Sequence, residues 1–232
     1  MKTLFIAALT LLLALPALAG PALVTDGPTV TIQAMEPMSA TFVCTPGNPY
    51  NTNSAGYYTF YNYTDSYATL FDPAACPTCD LGVAISRVRM LLRLNAAATF
   101  TISASLTDAV DAGGGCYVPG AVVAQSGTAT VTGITAAGGY YINLNWTSPC
   151  IEPGRKYFLV FTLGEPGALV AGPYVDNDGV TACNSWYNSG TGWVNLASMF
   201  VGDPFVWAET DCCLLPVPEE TQDWGSLKSM FR

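Results

Sequence analysis

Along Ala98–Leu106 every even position is apolar (Ala98, Phe100, Ile102, Ala104, Leu106) and every odd one carries a hydroxyl (Thr99, Thr101, Ser103, Ser105). A period of two marks a β-strand with one face in the core and one in water. Tyr140, Ile142, Leu144 and Trp146 repeat the pattern against Tyr141, Asn143 and Asn145. In Lys156–Leu163 both faces are apolar from Tyr157 until Thr162, which predicts a central strand covered on both sides. Further strands are expected at Thr29–Gln33, Tyr57–Tyr63, Val83–Leu94, Ala121–Ala124, Thr128–Ile134, Thr181–Tyr187 and Phe205–Thr210. The predicted core includes Phe100, Ile102, Leu106, Ile142, Leu144, Trp146, Leu159 and Phe161.

Turn residues punctuate these segments: Gly113-Gly114-Gly115, Pro119-Gly120, Gly138-Gly139, Pro153-Gly154, Pro166-Gly167 and Asp178-Gly179. No helical segment of crossover length separates the strands, so the sheet pairing is antiparallel. The expected fold is an all-β, antiparallel two-sheet β-sandwich, jelly-roll-like and reinforced by disulfides.

The two ends of the chain follow other rules. Lys2, the apolar run Leu4–Leu15 broken only by Thr10, then Pro16 and Ala17-Leu18-Ala19 before Gly20, form a cleavable export signal over residues 1–19. That run is too short for a membrane span, which needs ~18 apolar residues or more. An N-terminal segment is set at 20–36, the sandwich domain at 37–213 and a linker containing Pro216-Val217-Pro218-Glu219-Glu220 at 214–222. In the tail, 223–232, Trp224, Leu227 and Phe231 fall at i, i+3 and i+7. A helix capped by Asp223 would place them on one face, with Lys228 and Arg232 near its C-terminal end. Such a tail suits a sorting or attachment partner. The location expected is secreted or cell-surface.

Composition narrows the chemistry. Seventeen acidic side chains against eight Lys and Arg give a net charge of −9, which disfavours nucleic acid and anionic lipid as partners. Histidine is absent. That removes the commonest proton-transfer group and the commonest transition-metal ligand. There is no G-x-S-x-G, P-loop or dinucleotide fingerprint, and neither cofactor nor metal is expected.

The eight cysteines, Cys44, Cys76, Cys79, Cys116, Cys150, Cys183, Cys212 and Cys213, form an even set that an exported protein should oxidise completely. Cys116 with Cys150, and Cys44 with Cys212 or Cys213, are pairings that sequence position suggests. Cys76-Pro77-Thr78-Cys79 is a C-x-x-C, but it has neither the βα context of a redox motif nor the second ligand pair of a zinc site, so a structural disulfide is expected.

Other constellations carry weaker signals. Arg87, Arg89 and Arg93 fall on one face of Val83–Leu94, as an anion or uronic-acid site would require, or as a solvated face pairing with nearby carboxylates. Trp186, Tyr187 and Trp193 surround the glycine-rich loop 188–192, and Tyr50, Tyr57 and Tyr58 flank another polar loop. Exposed rings of this kind stack on sugars, although core packing is the commoner use. Asp176-Asn177-Asp178-Gly179 lacks full calcium-loop spacing and reads as a hairpin turn. Glu209 and Asp211 are the paired carboxylates available for acid–base work.

The stretch Cys116-Tyr117-Val118-Pro119-Gly120, Cys150 ahead of 154–161, the Tyr187-Asn188-Ser189-Gly190-Thr191-Gly192-Trp193 core, Val206-Trp207-Ala208 and Cys212-Cys213 resembles uncharacterised exported bacterial β-sandwich proteins. The closing Trp224-Gly225, Lys228 and Phe231-Arg232 are similar to the short W-G-x-x-K-x-x-aromatic-R tails of such proteins. The resemblance implies an extracellular sandwich and no particular activity. The function expected is therefore a non-catalytic, structural or adhesive role at or outside the cell surface, with an extracellular glycan or cell-surface component as partner. One alternative is a carbohydrate-binding module using exposed Trp and Tyr. A further alternative is a carboxylate-dependent polysaccharide-active enzyme.

Overall fold

The computed structural model describes residues 28–34, 44–50, 54–57, 65–76, 78–164, 171–179, 181–199 and 202–214. The leader expected at 1–19, the tail expected at 223–232 and the expected linker beyond Leu214 lie outside them. In chain order the strands are β1 (Thr29–Ala34), β2 (Ser54–Tyr57), β3 (Ser66–Phe71), β4 (Val83–Leu94), β5 (Ala98–Gly113), β6 (Cys116–Ile134), β7 (Gly138–Asn145), β8 (Tyr157–Gly164), β9 (Ala171–Asp176), β10 (Ser185–Asn188), β11 (Trp193–Asn195) and β12 (Val206–Cys212). Every strand pairing among them is antiparallel.

Two sheets result. In sheet 1 the order is β1-β7-β4, and then β12 and β9 follow one another along the far edge of β4, with β2 outside β9. Sheet 2 runs β11-β10-β3-β8-β5-β6. The expected sandwich is what forms. Thr29–Ala34, set apart above within an N-terminal segment, is the edge strand of sheet 1.

The inward faces meet in one core that holds all eight side chains expected there, Phe100, Ile102, Leu106, Ile142, Leu144, Trp146, Leu159 and Phe161. β8 is covered on both faces, because Phe158 and Val160 are buried on the side away from the core. β4 reaches the core by a device that alternation alone does not reveal. Arg87 pairs with Glu209 and Ile85 with Thr210, so Ser86 is an extra, bulged residue. The bulge flips the phase, and Val83 and Ile85 join Val88, Met90, Leu92 and Leu94 in the core.

Sequence reading placed a turn at Pro119-Gly120 and two short strands, Ala121–Ala124 and Thr128–Ile134, after it. The chain there forms one 19-residue strand, β6. Its pairing with β5 leaves extra residues on β6 at 132–133, 126–127, 123 and 120–121. Gly127 and Gly133 have φ of 73° and 87°, the left-handed backbone that such bulges use. These four insertions in the outer strand, against one at Ala112 in β5, bend the hairpin. Its distal arm folds over the outer face of sheet 2, where Ala109, Tyr117 and Val118 pack against Ala68, Phe158, Val160 and Trp186.

All eight cysteines are oxidised, but not in the pairings that sequence position suggested. The bonds are Cys44–Cys76, Cys79–Cys212, Cys116–Cys183 and Cys150–Cys213. Cys76 and Cys79 flank a tight turn after the short 3-10 segment Pro73–Ala75 and face different neighbours. Cys76 meets the strand-like segment that runs beside Thr210, and Cys79 meets the end of β12. Cys150 reaches Cys213 because Ile151 bridges Val83, and Gly82 accepts from the Cys213 amide. Cys116, carried across by the bent arm, staples it to the loop before β10.

Candidate functional site

Arg87, Arg89 and Arg93 do share the outward face of β4, and β12 delivers Glu209 opposite Arg87. Arg87 Nη1 lies 2.9 Å from Glu209 Oε2, and Arg89 Nε lies 2.6 Å from Oε1. Arg87 Nε donates to Asn145 Oδ1 at 2.8 Å, and Asn145 Nδ2 donates to Thr29 Oγ1 at 2.9 Å. Glu209 and Arg89 are buried. Burial pushes the Glu209 carboxyl up and the Arg89 guanidinium down, and in each case the partner's charge offsets part of the effect. Glu209 is thus clamped between two arginines, while Asp211 beyond it is exposed.

Beside this triad, Leu91, Tyr141, Phe205 and Trp207 form a second buried cluster with Tyr50 and Tyr174 against it. Tyr50 packs edge-on to Phe205 at 5.1 Å and to Tyr141 at 6.1 Å. Tyr50 therefore anchors its segment to sheet 1. Burial pushes the Tyr141 hydroxyl up to about 12.

Trp186, Tyr187 and Trp193 are adjacent in sequence but divided in space, because neighbouring strand residues point to opposite faces. Tyr187 points inward, packs 5.6 Å from Tyr67 and donates from its hydroxyl to Asp65 Oδ1 at 2.9 Å. Burial raises the Asp65 carboxyl from its ordinary value, and the Tyr187 bond offsets part of the rise. Trp186 points outward but lies under the folded hairpin arm. Trp193, also outward, stays half-exposed.

Trp193 opens a feature that sequence reading missed. It pairs with Asn188, Asn188 with Ser66, Ser66 with Thr162, Thr162 with Ser103 and Ser103 with Thr128. These six residues form one unbroken row across all six strands of sheet 2, on the face away from the core. None is buried and none is charged. Ser66 Oγ and Thr162 Oγ1 lie 2.8 Å apart. Asn188 Oδ1 accepts from the amides of Gly190 and Gly192 at 2.7 and 3.1 Å, which fixes its amide in place. Ser103 was visible as part of the wet half of an alternating strand, but only the register puts it in line with Ser66, Thr162 and Thr128.

Asp178-Gly179 is not a hairpin turn. β9 pairs in sheet 1 and β10 in sheet 2, so the segment crosses between sheets. Asp176 is buried at its start. Its Oδ2 accepts from Asn48 Nδ2 at 2.7 Å and its Oδ1 from the Asp203 amide at 2.9 Å. Burial raises its carboxyl to about 6, with Asp178 adding to the rise. Among the described residues no group of three or more acidic or cysteine side chains is placed to hold a metal ion.

A family model described as Domain of unknown function (DUF7451) matches residues 33–210. The chain belongs to this family. The DUF7451 span contains the Arg87–Glu209–Arg89 clamp and the complete row from Ser66 to Trp193. No curated protein matches the chain. Among solved structures it is similar to "The crystal structure of the cysteine protease and lectin-like domains of Cwp84, a surface layer associated protein of Clostridium difficile", with a TM-score of 0.46 and 12% identity. That similarity covers 70% of this chain and 37% of the other, so this chain spans little more than a third of its length.

Proposed function

We propose that the protein is a non-catalytic contact domain acting at or outside the cell surface, in a structural or adhesive role. The observation that carries the reading is the pairing of a four-disulfide framework with an open, uncharged row on the outer face of sheet 2. Disulfides of this number persist in an oxidising, extracytoplasmic compartment. No helix of the described residues is long and apolar enough to cross a membrane. Glu209, the carboxylate best placed by sequence for acid–base work, is engaged by two arginines, which favours contact over hydrolysis. A carbohydrate is the ligand class favoured among such contacts, because Trp193 is the accessible ring of the aromatic trio.

Binding of the purified, oxidised protein to intact cells or envelope fragments of the producing organism tests the reading. Saturable retention that unfolding abolishes is expected. Release of soluble products from envelope polysaccharide would replace this reading by an enzymatic one. The addressing role proposed for residues 221–232 has a separate test. Their deletion should change where the protein is found and leave its melting temperature unaltered.

A further inference from the structure

We infer that the row from Trp193 to Thr128 is the binding surface for an extended, neutral oligosaccharide, lying across the strands of sheet 2. The inference rests on the contact-domain reading and adds the ligand class and the residues.

Geometry comes first. Six hydrogen-bonded strands carry the row, and at ~4.8 Å per interstrand step it extends roughly 24 Å. That step is close to the advance per residue of an extended pyranose chain, so successive sugars meet successive side chains. Trp193 at one end offers an indole for the apolar face of a ring. Asn188, Ser66, Thr162, Ser103 and Thr128 then supply an amide and four hydroxyls, groups that donate and accept as sugar hydroxyls do. The next line of the sheet, Thr101 paired with Gly164 and Thr130, widens this polar strip.

Trp186 stands on the same face, two residues from Asn188, and is buried under the folded arm, so the ring open to a ligand at this end of the row is that of Trp193. The folded arm, stapled by Cys116–Cys183, covers Ala68, Phe158 and Val160 next to the row and leaves the row itself open. The apolar half of this face is thereby closed and the hydroxyl half presented.

Charge selects the neutral class. The row contains no cation, and the chain is strongly acidic overall. Arg155 and Lys156, at the start of β8, are paired with Asp108 at 2.6 Å and Asp72 at 3.7 Å. Arg87 and Arg89 belong to the other sheet and hold Glu209. A uronate chain would meet repulsion without a guanidinium to match its carboxylates.

The test uses the mature oxidised protein on an array of neutral glucans, mannans, xylans and galactans, with alginate and polygalacturonate alongside, followed by calorimetry on oligomers of the best binder. At least one neutral glycan should bind, with affinity rising from disaccharide to hexasaccharide. Trp193→Ala and, separately, Thr162→Arg should each weaken binding at least tenfold in protein that still unfolds in one cooperative transition. Thr162→Ser should retain binding, and the uronate polymers should not bind. Retention of no neutral glycan overturns the inference, as does binding that neither substitution alters, or uronate binding that exceeds neutral. If the protein holds envelope fragments but no neutral glycan, this inference falls and the contact-domain reading stands. If it holds neither, both fall.

Discussion

The outer faces of the two sheets solve the same problem in opposite ways. Sheet 1 turns charged and aromatic side chains outward and buries them. Glu209 lies between Arg87 and Arg89, and Tyr141 and Trp207 are wholly inaccessible. Sheet 2 turns small hydroxyls outward and leaves them wet, while a bent hairpin covers the apolar residues beside them. Where polar groups are buried, their free energy depends on mutual pairing, and the face becomes structural. Where they stay hydrated, they contribute little to folding and remain available to bind.

Substitutions should separate the faces sharply. Glu209→Leu strands two guanidiniums on sheet 1, and removing one partner of a buried ion pair costs about 3–5 kcal/mol. Urea unfolding should show that loss. A change under about 1 kcal/mol would mean that the clamp is hydrated and the contrast between the faces is false.

On sheet 2 the vulnerable element is the staple. Replacing Cys116 and Cys183 together by Ser removes a crosslink over 67 residues, which the chain-entropy model values at about 4 kcal/mol, a ceiling because the arm also packs on the sheet. Trp186 emission should shift to the red before the main unfolding transition. Emission that moves only with global unfolding would show the arm held by packing alone.

Acid should strengthen the fold through its buried carboxyls. The Asp176 carboxyl is raised from 3.8 to about 6. Its stabilising contribution is therefore complete below about pH 4 and is lost as the pH rises through about 6. Asp65 is raised in the same direction. The urea midpoint should fall between pH 4 and pH 7, and Asp176→Asn should flatten that slope. An unchanged slope in the variant would remove Asp176 as its cause.

Two smaller effects complete the contrast. The Tyr141 hydroxyl is buried without a hydrogen-bond partner, so Tyr141→Phe should stabilise by about 1 kcal/mol. Thr162→Val, on the open face, should stay within about 0.5 kcal/mol of the parent in the same assay. A larger loss from Thr162→Val than from Glu209→Leu would invert the assignment of the faces.

Alternation made the sandwich legible. Phe100, Ile102, Ile142 and Leu144 each needed only a period of two to be placed in the core, because strand geometry sends alternate residues to opposite sides. The same rule fails one level up. β3, β9 and β11 went unpredicted, since Ser66–Phe71 mixes both kinds of residue on both faces and the other two are short or contain Gly and Pro. The Ser86 bulge and the bulges of β6 are backbone events with no unique residue signature.

The sequence by itself therefore determined the fold class, the complete oxidation of its cysteines and the residues of the core. These follow from local periodicity and from a count. Tertiary structure alone decided which cysteine meets which, that Glu209 closes the arginine face, that Tyr187 belongs to the core and that six scattered residues form a row. Each of these depends on strand order and register. They are fixed by contacts between segments as many as 166 residues apart, and alternation within one strand carries no information about them.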